Sequence, residues 1–229
     1  MVRDEVRVPS SRDSHSKFKI HDSATMASQI AHIVYAKKFF EKYDLFSKEK
    51  DEFILGATFP DIRRIDRSIK RKDTHLGFYP LDLNFKNLTS FESGWKFHLY
   101  CDMRREEILN TYDFYSLKFT NELWNHPAKM LEDILIYDQY SDWKRLANYF
   151  DNVPFISNDI NVSQKTFELW YSILADYIEE KPDNDIEKNF FLKQPALAPI
   201  ADNIIKIVDK LRKNDKVIEI LKKVCEEII

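Results

Sequence analysis

Apolar residues recur every three or four positions along most of this chain, which is the spacing of one face of an α-helix. The first such stretch is expected to run from a capping Ser23 or Thr25 to about Tyr43. The apolar positions of its buried face are Met26, Ile30, Ile33, Val34 and Phe40. A second long helix, FESGWKFHLYCDMRREEILNTY, is predicted after a cap at Ser90.

The pattern changes between these two helices. The apolar segment DEFILGATFPDI contains Gly56 and Pro60, which predict a short helix that runs into a rigid turn. A charged loop or frayed helix is expected from Arg63 to Lys72. After the second long helix, further helices are predicted at about 115–124, 127–137, 141–150, 163–180, 186–193 and 198–227, the last one broken near residues 214–215.

Composition supports the same fold class. The chain of 229 residues has only 3 glycines, which is few for a fold that depends on tight hairpin turns. We therefore expect an all-α fold, a single-domain multi-helix bundle over residues 23–229. A polar N-terminal arm over residues 1–22 is expected to precede it, because that stretch lacks a regular apolar pattern.

Charge and cysteine usage narrow the function classes. A net charge of -3 and a pI near 6.1 argue against stable binding of nucleic acid by the molecule as a whole. Cys101 and Cys225 lack the spacing of metal ligands and are expected to be free thiols, with Cys101 buried. The sequence contains no signal-peptide pattern and no apolar run long enough to span a membrane, so a cytoplasmic protein is expected.

The pair His98 and Asp102 provides the first candidate chemistry. Four residues along a helix turn the chain by only about 40 degrees beyond one full turn, so both side chains point to the same side. An imidazole and a carboxylate placed in this way can ligate a cation. The alternative is a hydrogen-bonded pair on the helix surface, which is common at this spacing.

Three further residues are candidate ligands, each with an ordinary structural alternative. His32 lies among apolar residues of the first helix, where it is either a ligand or a buried histidine bonded to a carbonyl. Asp61 follows Pro60 at the end of an apolar segment and could equally cap a helix. His75 lies in a loop next to Gly77. The glycines Gly56, Gly77 and Gly94 all fall in this part of the chain, and we interpret them as points of backbone freedom near the ligands.

Taken in order, these residues resemble the motifs of the zinc-dependent phospholipase C family, including its phospholipase C/D-like relatives. The series consists of His32 in AHIVYA, Asp61 in LGATFPDI, His75 in THLG, and His98 with Asp102 in GWKFHLYCD. It covers about residues 26–105, which is under half of the chain. The step of fourteen residues from Asp61 to His75 and the H-x-x-x-D pair both agree with the family pattern.

The resemblance implies a phospholipase C-like helical bundle whose cleft is lined by zinc ligands. By carry-over, Asp61, His75, His98 and Asp102 would bind one zinc ion, and His32 with a bridging Asp102 would help to bind a second. Such a set suits one or two Zn²⁺ ions with open positions for water. Bound zinc activates water and clamps phosphoryl oxygens, and Asp61 is the candidate catalytic base.

The basic segment after Asp61 is the candidate substrate-binding element. Arg63, Arg64 and Arg67 lie between two proposed ligands, where they could attract a phosphate group. The alternative is a solvated charged loop. The expected partner is a small phosphate-containing substrate or a lipid head group, and the sequence leaves the oligomeric state open.

The chain departs from the family at two positions. Secreted members use the mature N-terminal amine as a ligand, whereas here more than twenty residues precede the first predicted helix. His21 is a possible substitute, or an exposed residue of the arm. A third family zinc uses an H-x-x-x-E pair, but His126 is followed four positions later by Met130, so we expect this site to be absent and His126 to mark a loop.

The leading hypothesis is a zinc-dependent hydrolase of phosphate esters, with a phosphodiester or phospholipid head group as substrate. The alternative is a non-catalytic binding or scaffold protein that retains the fold with an incomplete metal site. A phosphohydrolase of the histidine-aspartate doublet class is disfavoured, because the HD dipeptide His21-Asp22 lies in the arm, before the other ligands.

Overall fold

The computed structural model describes residues 28–43, 49–75, 77–158, 160 and 162–229. The described residues contain helices and no β-strand, and they form one bundle, which confirms the predicted all-α class. The α-helices are α1 Gln29–Tyr43, α2 Lys50–Thr58, α3 Arg71–Thr74, α4 Ser90–Thr111, α5 His126–Ile136, α6 Trp143–Asp151, α7 Gln164–Ile178, α8 Asn184–Leu192, α9 Ala201–Leu211 and α10 Asp215–Glu227. The predicted arm and the predicted capping residues of the first helix lie outside the described residues.

Most predicted helices agree with these bounds, and the predicted break near residue 214 separates α9 from α10. The cap of α4 differs from the prediction by one residue. Thr89, not Ser90, is the N-cap, because its side chain accepts a hydrogen bond from the Glu92 backbone N–H at 3.2 Å while the Glu92 carboxylate accepts one from the Thr89 N–H at 2.8 Å. This reciprocal pair satisfies two backbone donors at the start of the helix that carries His98 and Asp102.

The predicted helix at 115–124 is wrong. This stretch contains two short 3₁₀ segments, Phe114–Ser116 and Glu122–Asn125, with turns between them. Phe119 and the three successive residues Leu123, Trp124 and Asn125 have φ values between 48 and 72°. A left-handed backbone costs about 1–2 kcal/mol per non-glycine residue and cannot continue a right-handed helix. Tertiary packing, not helical propensity, therefore determines this segment.

The core of the bundle consists largely of aromatic side chains from α1, α2 and α4. The Phe53 ring of α2 lies 5.8 Å from the Phe39 ring of α1 and 5.3 Å from the Phe97 ring of α4. Cys101 and Cys225 are both buried free thiols. None of the helices in the described ranges combines the length and the apolar character that crossing a membrane requires.

Helices α2 and α4 cross at two glycines. A Cβ atom at Gly56 would lie 1.9 Å from the Phe91 carbonyl oxygen, and one at Gly94 would lie 1.9 Å from the Phe53 carbonyl oxygen. None of the described glycines has a positive φ, so the interpretation of these residues as points of backbone freedom is wrong. Gly56 and Gly94 instead allow two backbones to touch, and this contact sets the distance between Asp61, beyond the end of α2, and His98 in α4.

Polar side chains inside the bundle tie α5 to its neighbours. Asp133 accepts hydrogen bonds from the Ala31 N–H at 2.9 Å and from the Tyr177 hydroxyl at 2.8 Å, which joins α5 to α1 and α7. Arg105 of α4 forms a fully buried ion pair with Glu132, with 2.7 Å between Nη2 and Oε2. Such buried groups require these partners, because an unpaired buried charge is strongly destabilising.

The buried carboxyl group of Glu187 predicts a dependence of stability on pH. Burial, with a further contribution from Asp133, raises the pKa of Glu187 to about 8. The folded state therefore holds a proton that the unfolded state releases near pH 4.5, so this group's contribution to stability declines as the pH rises towards 8. The decline has an upper limit of about 1.4 kcal/mol per pH unit.

We expect Glu187→Gln, which has no ionisable group, to flatten this decline and to be more stable than the wild-type protein at pH 9. Urea unfolding of both proteins at pH 5, 6, 7, 8 and 9 measures how the free energy of unfolding changes with pH. Asp133, whose pKa burial raises to about 7, provides a second decline at lower pH that both proteins share. Identical slopes for the two proteins between pH 5 and 8 would contradict the assignment to Glu187.

Candidate metal centre

Four helical segments bring the five predicted ligands to one place. His32 lies on α1, Asp61 in the 3₁₀ segment Phe59–Arg64 that continues α2, His75 at the end of α3, and His98 with Asp102 on α4. The apolar faces of α1, α2 and α4 are held together by the aromatic core. The polar side chains that interrupt those faces therefore meet inside the bundle.

Asp102 lies at the centre of the three histidines. Its Oδ1 lies 3.4 Å from His32 Nε2, and its Oδ2 lies 3.4 Å from His98 Nε2 and 3.9 Å from His75 Nε2. Ligand atoms of His32, His98 and Asp102 all lie within 4.8 Å of one another, and the same holds for Asp61, His75 and His98. Because His98 belongs to both groups, the five side chains form one continuous cluster, which we call the His/Asp cluster.

The His/Asp cluster is enclosed. The side chains of His32, His98 and Asp61 are 0% exposed, that of His75 is 3% exposed, and that of Asp102 is 9% exposed. The predicted open, metal-lined cleft is therefore not found at these five side chains. Within the described residues, Asp102 and the neighbouring Arg63, whose side chain is 22% exposed, are the parts of the site nearest to solvent.

Hydrogen bonds orient two of the imidazoles. His98 Nδ1 lies 2.8 Å from the Ala57 carbonyl oxygen, which can only accept, so Nδ1 carries the proton and the Nε2 lone pair faces Asp102. His75 Nδ1 lies 2.7 Å from Thr74 Oγ1, which leaves His75 Nε2 facing the cluster. A ring nitrogen bonded to the protein in this way fixes the tautomer and direction of a metal-ligating histidine.

Several buried polar atoms of the cluster lack a hydrogen-bond partner among the described residues. They are His32 Nδ1, His32 Nε2, His98 Nε2 and Asp61 Oδ1. A buried polar atom without a partner costs about 1–3 kcal/mol. The rings of His32 and His98 stack with their centroids 3.8 Å apart, an arrangement that protonation of both rings would disfavour. Nitrogen and carboxylate donors left in this state fit a bound cation such as zinc.

The electrostatics provide the ionisation states that a metal requires. Burial, with the neighbouring His98, lowers the pKa of His32 to about 4, and burial also lowers the pKa of His75 well below its usual value. Burial opposes ionisation of Asp102, but His98 and His32 outweigh it and lower its pKa. Neutral imidazoles and ionised carboxylates are the forms that ligate metals.

Asp61 makes contacts that sequence reasoning did not predict. The Gln29 side-chain amide donates to Asp61 Oδ2 at 2.6 Å, Arg64 Nη2 lies 3.0 Å from the same oxygen, and Arg63 Nη2 lies 3.8 Å from Oδ1. Burial opposes ionisation here too, but Arg64 and Arg63 outweigh it and lower the pKa of Asp61. A carboxylate so strongly stabilised is a weak proton acceptor, which favours a ligand role for Asp61 over that of a base.

The three arginines proposed to bind substrate do not lie at one place. Arg63 and Arg64 contact Asp61 at the His/Asp cluster. Arg67 is exposed and donates from Nη2 to the Pro195 carbonyl oxygen at 3.2 Å, so the structure places it on the segment after α8. The reason is the turn after the 3₁₀ segment, which directs residue 67 away from residues 63 and 64.

Two other histidines, His21 and His126, were considered in the sequence analysis, and one buried lysine, Lys129, was not. His21 lies outside the described residues. The prediction that His126 marks a loop is wrong, since it is buried and begins α5, and burial lowers its pKa well below the usual value. Lys129 of α5 is also buried, and sequence reasoning missed it. The signal available was a lysine within the apolar run of PAKMLEDILI.

Comparison with models of known protein families, with curated proteins and with solved structures finds no match to this chain.

Proposed function

We propose that this chain is a metal-dependent hydrolase of phosphate esters, with zinc as the metal and water as the nucleophile. One observation carries the proposal: three imidazoles and two carboxylates from four segments meet in an enclosed cluster, in which several nitrogen and oxygen atoms lack a hydrogen-bond partner among the described residues. The ordered motifs that resemble the zinc-dependent phospholipase C family point to the same chemistry, and kinship with that family is part of the proposal.

Each residue has a role in this proposal. Asp61, His75 and His98 form one set of ligands, and His32, His98 and Asp102 form the other. When bound, zinc lowers the pKa of water and polarises a phosphoryl oxygen. Gln29 and Arg64 hold the Asp61 carboxylate in place, and the enclosed surroundings exclude bulk water from the reacting groups.

A second candidate is a binding or scaffold protein with a purely structural metal. The burial of the cluster favours this reading, because structural zinc sites are closed whereas catalytic sites keep an open position. The two candidates predict the same metal content but different turnover, so they are separated by activity.

Turnover of bis(4-nitrophenyl) phosphate by zinc-loaded protein tests the proposal. We expect Asp61→Asn, which keeps the size of the side chain and removes its charge, to lower kcat/KM by about 100-fold, since loss of a ligand or of a supporting contact has effects of this order. The matched control is Asp66→Asn, which changes a partly exposed aspartate just after the 3₁₀ segment, where it accepts a hydrogen bond from Ser68. Stoichiometric zinc without any turnover would support the scaffold candidate and reject the hydrolase.

A further inference from the structure

A cavity lies between the 3₁₀ segment Glu122–Asn125 and helix α9, and we call it the α9 cavity. Its volume is about 270 Å³, and it opens to solvent. The residues that line it are Glu122, Leu123, Asn203, Lys206, Ile207 and Lys210, none of which belongs to the His/Asp cluster. A volume of this size suits a small ligand, because pockets for drug-sized molecules measure about 300–1,000 Å³.

Two lysines of α9 give the cavity a positive charge. Lys206 and Lys210 are exposed and lie one helical turn apart, a spacing at which like charges destabilise a helix. Neither ammonium lies within ion-pair distance of a carboxylate among the described residues. Asp202 lies one turn before Lys206, but it pairs with Lys188 of α8 at 2.7 Å, and Lys206 acts on it more weakly. The carboxylate that lines the cavity, Glu122, balances at most one of the two ammonium groups.

A third lysine extends the positive region. The ammonium of Lys118 lies 4.8 Å from the centroid of the Phe119 ring, and that of Lys210 lies 4.5 Å from the same centroid. An aromatic ring attracts a cation but carries no net negative charge, so neither lysine is neutralised by this contact. Lys118 also has no ion-pair partner among the described residues. Three lysines therefore lie in or next to a cavity that is lined by one carboxylate.

The wall of the cavity opposite α9 has an unfavourable backbone conformation. Leu123, which lines the cavity, has a φ of 48°, and the next residue, Trp124, has a φ of 54°. Left-handed backbone persists in such residues only where the surrounding structure imposes it, and it is frequent at ligand-binding sites. Leu123 and Ile207 provide apolar surface inside the cavity, and the side chain of Trp124 is 56% exposed. The cavity thus combines cations with apolar surface.

We propose that the α9 cavity binds a small ligand that has a dianionic phosphoryl group and one apolar substituent. The phosphoryl group lies between Lys206 and Lys210, with the side-chain amide of Asn203 as a further donor. The substituent packs on Leu123 and Ile207. A dianion is favoured over a monoanion because two ammonium groups without carboxylate partners lie one turn apart. This site does not depend on the proposed function, because no residue that lines it is a candidate metal ligand.

Titration calorimetry at pH 8 with two probes of the same shape tests the site. Phenylphosphonate is mainly a dianion at this pH, and its carbon–phosphorus bond resists hydrolysis, whereas benzenesulfonate is a monoanion. We expect the wild-type protein to bind phenylphosphonate at least tenfold more tightly than benzenesulfonate. The double variant Lys206→Gln, Lys210→Gln should bind phenylphosphonate at least tenfold more weakly than the wild type does, and the ratio of its two affinities should fall below threefold.

The matched control is the double variant Lys216→Gln, Lys222→Gln, which removes two exposed charges from α10. This control should bind both probes as the wild type does, within a factor of two. Equal weakening in the two double variants would indicate a general effect of net charge and would overturn the site. An unchanged ratio of affinities in Lys206→Gln, Lys210→Gln would also overturn it. Because this variant removes a repulsive pair, its melting temperature should equal or exceed that of the wild type, which separates lost binding from unfolding.

The apolar wall gives a second readout. Leu123→Asn removes apolar surface, and asparagine tolerates a left-handed backbone. The ratio of the affinity for phenylphosphonate to that for methylphosphonate should fall at least threefold in this variant, and an unchanged ratio would overturn the placement of the substituent. Binding should persist in the wild type after zinc is removed with a chelator. Binding that disappears with zinc would place the probe at the metal centre, which overturns this site and leaves the proposed function standing.

Discussion

Replacing His98 with alanine is expected to abolish stoichiometric zinc binding. His98 is the one residue shared by both sets of candidate ligand atoms, and its bond to the Ala57 carbonyl directs its free nitrogen into the cluster. A ligand present at 1,000 times its dissociation constant stabilises a protein by about 4 kcal/mol, which for a chain of this size corresponds to a rise in melting temperature of about 10 °C. Zinc should produce such a rise in the wild-type protein and none in His98→Ala.

The measurements are metal analysis of protein purified without chelators or a metal-affinity tag, and thermal unfolding with and without added zinc. Cys101→Ala is the matched control, because Cys101 is a buried residue of the same helix that is absent from both ligand sets. This control should keep its zinc. A His98→Ala protein with unchanged metal content and an unchanged response to zinc would remove the basis of the proposed metal centre.

Substituting Gly94 by alanine is expected to destabilise the contact between α2 and α4 strongly. The new Cβ would lie 1.9 Å from the Phe53 carbonyl oxygen and 2.8 Å from the Ala57 nitrogen. Since both are backbone atoms, no rotation of a side chain can relieve the clash, and the helices must move apart. We expect a loss of at least about 3 kcal/mol, or about 6–12 °C in melting temperature.

The same displacement acts on the metal centre. Ala57 also provides the carbonyl oxygen that orients His98, so Gly94→Ala should weaken zinc binding along with stability. Gly77→Ala is the matched control, because a Cβ there has no atom within 4 Å and its φ is not positive. Chemical unfolding of both variants, followed by zinc titration, checks the prediction. Equal stabilities for the two variants would contradict the close backbone contact.

Only part of the His/Asp cluster could be predicted from the sequence, because its residues come from segments that are distant along the chain. The spacing of His98 and Asp102 is local, so helical geometry alone places them on one side of α4. The other three ligands come from segments that are distant along the chain, and no local rule places His32 beside His98. Their order along the chain suggested the grouping, whereas the contact itself depends on how α1, α2 and α4 pack.

The two wrong predictions, the helix at 115–124 and the role of the glycines, also result from contacts between distant segments. Helical propensity predicted a helix at 115–124, but packing holds Phe119 and Leu123 to Asn125 in left-handed conformations that local preferences disfavour. The glycines were read as points of flexibility, although Gly56 and Gly94 are sites of close backbone contact whose partners lie in another helix. Neither feature can be recognised without knowing which surface faces the segment.

The amino-acid pattern by itself determined the helical class, most helix positions and the residue types of the candidate ligands, because these depend on neighbours within one or two helical turns. The tertiary structure alone decided that the cluster is enclosed, that Arg64 holds Asp61, and that Lys129 is buried. Burial and long-range pairing depend on which helices pack together. The sequence of a single segment does not specify its packing partners.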